Sequence, residues 1–121
     1  MINTLQDEEH TQMLEWAAQK LRDAENDSVS NHTRVEAAFD SIYARLLVSA
    51  RRKNYVEPAE HPSDSAILLG AVAAGLDDES VSKVLELQLS VARNRYKPGP
   101  HSFNLLRAIA LGRHIADLVK T

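Results

Sequence analysis

Residues 92 to 101 read ARNRYKPGPH and gather the side chains best suited to chemistry in this sequence. Arg93, Arg95 and Lys97 offer positive charge at close spacing, Tyr96 offers an aromatic face among them, and Asn94 offers an amide. His101 adds an imidazole that titrates near neutral pH, just beyond the Pro98-Gly99-Pro100 break. Cations interleaved with an aromatic ring can neutralise phosphates and stack on a base, so a nucleotide- or partner-binding corner is one reading. The other is a helix end whose Arg and Lys balance the negative pole of the helix dipole.

The remaining histidines are His10, His32, His61 and His114. Helical metal sites use ligands three or four residues apart, and no two histidines have that spacing, so no metal site is expected. Asp7-Glu8-Glu9-His10 offers one His beside carboxylates, but reads as an exposed acidic first turn. His32 would open the second helix, where it faces a site only if the fold brings it near Arg93. His61, before Pro62, reads as a loop-shaping residue. The absence of cysteine removes disulfides, thiolate metal sites and Cys nucleophiles. Neither a Gly-x-Ser-x-Gly turn, a Walker loop nor a dinucleotide fingerprint occurs, and no cofactor is expected.

Five helices would carry these residues. Met13, Leu14, Ala17, Ala18, Leu21 and Ala24 fall at three-and-four spacing within a helix from Thr4 to about Glu25, which Leu5 begins. A second helix is predicted from Ser30 to Lys53, with Val35, Ala38, Phe39, Ile42, Leu46 and Ala50 as its stripe and Arg51-Arg52-Lys53 at its negative end. Residues 54–64 contain two prolines and read as a loop. The third helix runs from Ser63 to Ala74, capped by Ser63 or Asp64 and stopped by Gly75, with Ala66, Ile67, Leu69, Gly70 and Ala73 facing inward. Asp77-Asp78-Glu79 opens the fourth, with Val81, Val84, Leu85, Leu89 and Ala92 as its main stripe and Leu87 and Val91 beside it. That helix must end before Pro98. Ser102 is expected to cap the fifth, whose core residues are Leu105, Leu106, Ile109, Ile115, Leu118 and Val119. No strand-like alternation occurs, so the prediction is all-α, an antiparallel up-and-down bundle in one domain spanning 1–121.

Composition agrees with that class. Of 121 residues, 44% are hydrophobic, 26% charged and only 5% aromatic, which suits helices packed closely through Ala and Leu. No apolar run approaches the length of about 18 residues that a membrane span needs, and no signal-peptide pattern is seen, so a cytoplasmic location is expected. The net charge of −3 divides unevenly: residues 1–30 and 57–90 are acidic, and residues 31–56 and 91–121 are basic. Neighbouring helices of opposite sign would explain the alternation, and so would two basic segments meeting as one positive face for a polyanion.

With the elements placed, the chain resembles the HEPN superfamily (higher eukaryotes and prokaryotes nucleotide-binding), a group of small helical bundles. SNHTRVEAAFDSIYARLLVSARR, residues 30 to 52, is similar to that family's second helix, and AEHPSDSAILLGAVAAGL, residues 59 to 76, to its His-containing loop and following helix. LSVARNRYKPGPHSFNLLRAIALGRHIADLV, residues 89 to 119, looks like its Arg-Asn element, Tyr, turn and last helix. Catalytic members carry an Arg, four to six residues, then a His, forming a metal-independent ribonuclease site across a dimer. The Arg stabilises phosphate charge and the imidazole moves a proton. Arg95 and His101, separated by five residues, fit that spacing, with Arg93 and Asn94 in support.

The chain departs from the catalytic pattern in one respect. Pro-Gly-Pro interrupts the helix and moves His101 onto the next turn, which is more similar to the non-catalytic branches. There Arg93 and Asn94 would tie down the loop or hold a partner's phosphate or carboxylate. The resemblance implies a homodimer, with Gly70, Ala71 and Ala74 available for helix pairing, and a toxin–antitoxin or defence setting. It also implies an antitoxin or nucleotidyltransferase partner, with RNA as a candidate ligand; no membrane association is expected, from the lack of a spanning apolar run. The leading expectation is a HEPN-like binding and dimerisation module; the alternatives are the ribonuclease of Arg95 and His101 and a helical adaptor without a nucleotide role.

Overall fold

The computed structural model describes residues 4–55, 64–97 and 99–120, and these form an all-α bundle of five helices. They are α1 (Thr4–Glu25), α2 (Asn31–Arg52), α3 (Asp64–Ala74), α4 (Asp78–Tyr96) and α5 (Leu105–Leu118). His61, Ser63 and Pro98, and the Leu5 side chain, lie outside the described residues. No described helix is long and apolar enough to cross a membrane.

The central helix is α2, which packs against all four others. Its predicted stripe, from Val35 to Ala50, is buried throughout, and Ala37, Ala44 and Val48 are buried as well. A helix apolar around so much of its circumference has to sit inside the bundle. Ser30 caps it by accepting a hydrogen bond from the Thr33 N–H at 3.3 Å. At its other end Asn54 takes a left-handed φ of 60°, and the Tyr55 N–H returns to the Ala50 carbonyl at 3.0 Å. Gly75 stops α3 in the same way, with φ 72° and Leu76 N–H on Ala71 O at 2.9 Å.

One helix, α4, sits in a different rotation from the one its apolar pattern predicts. In α4 the buried apolar residues are Val84, Leu87 and Val91, with Ser80, Ser90 and Asn94 on the same side, while Leu89 is half exposed. In α5 the expected Ile109, Ile115 and Val119 are buried and Leu105 is partly so, joined by Ala108 and Leu111, while Leu106 and Leu118 are exposed. Gly70 and Ala71 are also buried within the chain against neighbouring helices, which removes them from any surface between protomers.

The N-cap of α5 is Asn104, not Ser102: Asn104 Oδ1 accepts the Arg107 N–H at 3.1 Å. Replacing Asn104 with Ala is expected to destabilise the fold by about 1 kcal/mol, with Ser102→Ala near neutral, as measured by urea unfolding. Equal effects would contradict this cap. Opposite charges meet between segments: Arg51 reaches Glu9 at 3.1 Å, and Arg113 reaches Glu25 at 2.9 Å. The acidic first segment thus lies beside basic stretches of α2 and α5. Arg51 also touches the Met13 sulfur, and Arg52 donates to the Lys120 carbonyl at 2.8 Å. Two members of the basic run Arg51-Arg52-Lys53 are therefore cross-links between helices.

Candidate functional site

The polar side of α4 grips the segment that leads into α5. Ser90 and Asn94 lie one turn apart on one face, both buried, because α4 is rotated to put them inside. Asn94 Oδ1 accepts the Gly99 N–H at 3.3 Å, and its Nδ2 lies 3.4 Å from the Ser90 carbonyl and 3.2 Å from His101 Nδ1. Ser90 Oγ accepts the Phe103 N–H at 3.4 Å and sits 3.0 Å from the same His101 nitrogen. The chain from Gly99 onward thereby folds back, and His101 becomes half-buried against the first turn of α2.

His32 and Glu36 meet it there. The His32 and His101 rings lie 4.7 Å apart between centroids, tilted by 32°. His32 Nε2 stands 3.5 Å from Glu36 Oε2, one turn along α2. His101 Nε2 is shielded from solvent and has no hydrogen-bond partner. Burial and the neighbouring His32 hold the His101 pKa below its ordinary value of 6.5, against a smaller opposing pull from Glu36 and the His32 main chain. His101 is therefore a neutral imidazole at pH 7, able to accept a proton or a cation.

One further turn along α2, burial raises the Asp40 pKa, opposed by the charges of Lys20 and Arg95 and helped by Glu36. Arg95 thus acts on Asp40, while the hydrogen bonds of His101 run to Ser90 and Asn94. Arg93, Tyr96 and Lys97 are exposed, Tyr96 to 90%. They line a cleft of about 470 Å³ with Ser90, Asn94, Pro100 and Ser102. A second cleft of about 300 Å³ opens over His32 and His101, bounded by Asn31, Val35, Pro100 and Asn104.

Of the six residues singled out by spacing, Asn94 and His101 form the folded-back corner and Arg93, Tyr96 and Lys97 the cleft beside it. Arg95 is exposed, and its charge acts on Asp40 of α2. Glu36 and Ser90 were missed, and His32, considered for a site near Arg93, is brought against His101. The His-x-x-x-Glu spacing of His32 and Glu36 carried a signal that a search for paired histidines passes over. His10, expected in an exposed acidic turn, is buried, while Asp7, Glu8 and Glu9 are exposed. Compared with protein-family models, curated proteins and solved structures, the chain matches none of them.

Proposed function

We propose that this chain is a HEPN-like binding module whose ligand is a phosphate-bearing strand, RNA being the class that the resemblance favours. The cleft formed by Arg93, Tyr96 and Lys97 carries the reading. Two cations one helical turn apart flank an exposed aromatic ring, the arrangement that neutralises phosphates while a base stacks. An adaptor without a nucleotide role would leave these side chains on open surface, away from any cleft. The homodimer rests on the resemblance. Side chains available to it are Leu68, Val72 and Leu89, all exposed, with a groove of about 560 Å³ along Leu85, Leu89 and Ala92. The toxin–antitoxin or defence setting, with an antitoxin or nucleotidyltransferase partner, follows from the resemblance too.

The ribonuclease reading keeps one observation in its favour. His101, its pKa held below the ordinary value, stands beside a second imidazole and a carboxylate, so groups able to move a proton are close together, with Arg95 on α4.

One experiment separates these. A labelled single-stranded RNA pool, titrated with protein in EDTA at several salt concentrations, is read by anisotropy and then on a gel. Binding should weaken in Arg93→Ala/Lys97→Ala, with the salt slope reduced by roughly 1.4 for two lost phosphate contacts. Tyr96→Ala should cost about 1–3 kcal/mol of binding. Intact RNA supports the binding module; cleavage lost in both Arg95→Ala and His101→Ala establishes the ribonuclease. No binding even at low salt sinks both.

A further inference from the structure

We propose that His32, Glu36 and His101 form a site for a divalent transition-metal ion of the zinc class. This goes beyond the RNA reading and does not depend on it. One ligand atom from each of the three residues lies within 4.8 Å of the other two. Zinc bonds of about 2.0–2.1 Å in a tetrahedron place ligand atoms roughly 3.4 Å apart. His32 Nε2 and Glu36 Oε2, at 3.5 Å, already have that separation. The remaining contraction is small, and His32 is exposed enough for its ring to swing toward His101.

The third ligand points the same way. His101 Nδ1 is occupied by Ser90 and Asn94, which leaves Nε2 as the atom turned toward the cluster. That Nε2 is shut off from water and unpartnered, an arrangement that costs free energy and that a metal bond would relieve. Ligation through Nε2 requires the proton on Nδ1. Ser90 Oγ, 3.0 Å away, can turn its hydroxyl to accept it, provided the Asn94 Nδ2, a donor 3.2 Å from the same nitrogen, gives up that contact and keeps its bond to the Ser90 carbonyl. Ser90 would then be the outer partner that fixes the ring and its tautomer, as metal-bound histidines ordinarily have.

Donor type selects the ion. Two imidazoles and one carboxylate suit zinc, cobalt or nickel, whereas magnesium and calcium prefer oxygen throughout. Three protein ligands leave a fourth position, and the cleft over His32 and His101 leads to it. The charges acting on His101 come from His32 and Glu36, while Lys20 on α1 and Arg95 on α4 act on Asp40, one turn further along α2. The ion would therefore be compensated by Glu36 itself.

The test uses tag-free protein stripped with EDTA and dialysed, titrated with Zn²⁺ by calorimetry and with Co²⁺ by visible absorption. One equivalent should bind saturably, the cobalt complex should show tetrahedral d–d bands, and zinc should raise the melting temperature. His32→Ala and Glu36→Gln change side chains near the surface, so folding should survive, as circular dichroism can check. Each should weaken binding at least tenfold, and Ser90→Ala should weaken it about 10–100-fold through the outer contact. His114→Ala, at a histidine 3.9 Å from Asp77, should leave it unchanged. Absence of saturable binding to wild type, or equal affinity in folded His32→Ala and Glu36→Gln, would overturn the site. RNA binding through Arg93 and Lys97 would be untouched by that result.

Discussion

Replacing Arg45 with alanine is expected to destabilise the fold by about 3 kcal/mol, more than any change in the exposed cation cluster. Arg45 lies in the middle of α2, where its side chain is only 7% exposed. Its Nη1 donates to the carbonyls of Val119 at 3.1 Å and Ala116 at 3.3 Å. Those carbonyls belong to the last turn of α5, where no helical N–H remains to receive them. A guanidinium there satisfies two acceptors and opposes the negative pole of the helix. Burial pulls its pKa below the ordinary arginine value, with Asp117 opposing that shift, yet a guanidinium remains charged throughout the physiological range. Alanine would remove the donors and leave a void as well. Methionine would fill the void without the donors, so Arg45→Met should cost less, about 1–2 kcal/mol. Urea unfolding gives the two values, and amide exchange locates the loss. Protection should fall first in the last turn of α5. If Arg45→Met costs as much as alanine, volume is irrelevant here; if neither costs more than about 0.5 kcal/mol, the carbonyls are satisfied otherwise.

That Arg also marks where the sequence was hard to read. In a pattern of apolar positions Arg45 counts as a break, and nothing local says that the end of α5, more than seventy residues later, supplies its acceptors. Arg52, seven positions on and so on the same face, repeats the device with the Lys120 carbonyl. Where an element is decided by its own residues, the pattern suffices: the α2 stripe, the Gly75 stop and the bounds of α1 were legible because period, cap and left-handed turn are local properties. The rotation of α4 was not. Leu85, Leu89 and Ala92 make as good a stripe as Val84, Leu87 and Val91, and the choice falls to Ser90 and Asn94. Those two are buried because the incoming chain needs their hydrogen bonds at Gly99, His101 and Phe103.

The candidate site shares this division. Arg93, Tyr96 and Lys97 stand out by composition and sit together because they share one helix end. The His101 corner depends on a turn that brings residue 101 back over residue 32, and a Pro-Gly-Pro break specifies an interruption without specifying its direction. Once Ser90 and Asn94 are known to be inside, the direction follows.

Gly70→Ala should be the most damaging single-methyl change in the chain. A Cβ at Gly70 would lie 2.5 Å from the Leu46 carbonyl oxygen, 2.6 Å from Leu46 Cβ and 2.8 Å from its carbonyl carbon. These atoms are the main chain and the first side-chain carbon of α2, so nothing can rotate out of the way. Either α3 moves off α2 or both helices bend, and such overpacking costs typically 1–3 kcal/mol, sometimes more. Alanine's better helix propensity, about 1 kcal/mol over glycine, offsets part of it. A net loss of about 2 kcal/mol is expected, or roughly 8 °C in melting temperature for a domain of this size. Gly112 provides the comparison. Its added Cβ would meet only Leu21 Cδ1, at 3.0 Å, the free end of a side chain that can shift. Gly112→Ala should therefore lie within about 0.5 kcal/mol of wild type, propensity and crowding nearly cancelling. The contrast isolates what is touched, since both residues are buried helical glycines and both variants gain one methyl. Thermal and urea unfolding of the two, side by side, decide it: similar stabilities would mean that α3 is free to slide along α2, and the close packing of Gly70 would then contribute little to holding this bundle together.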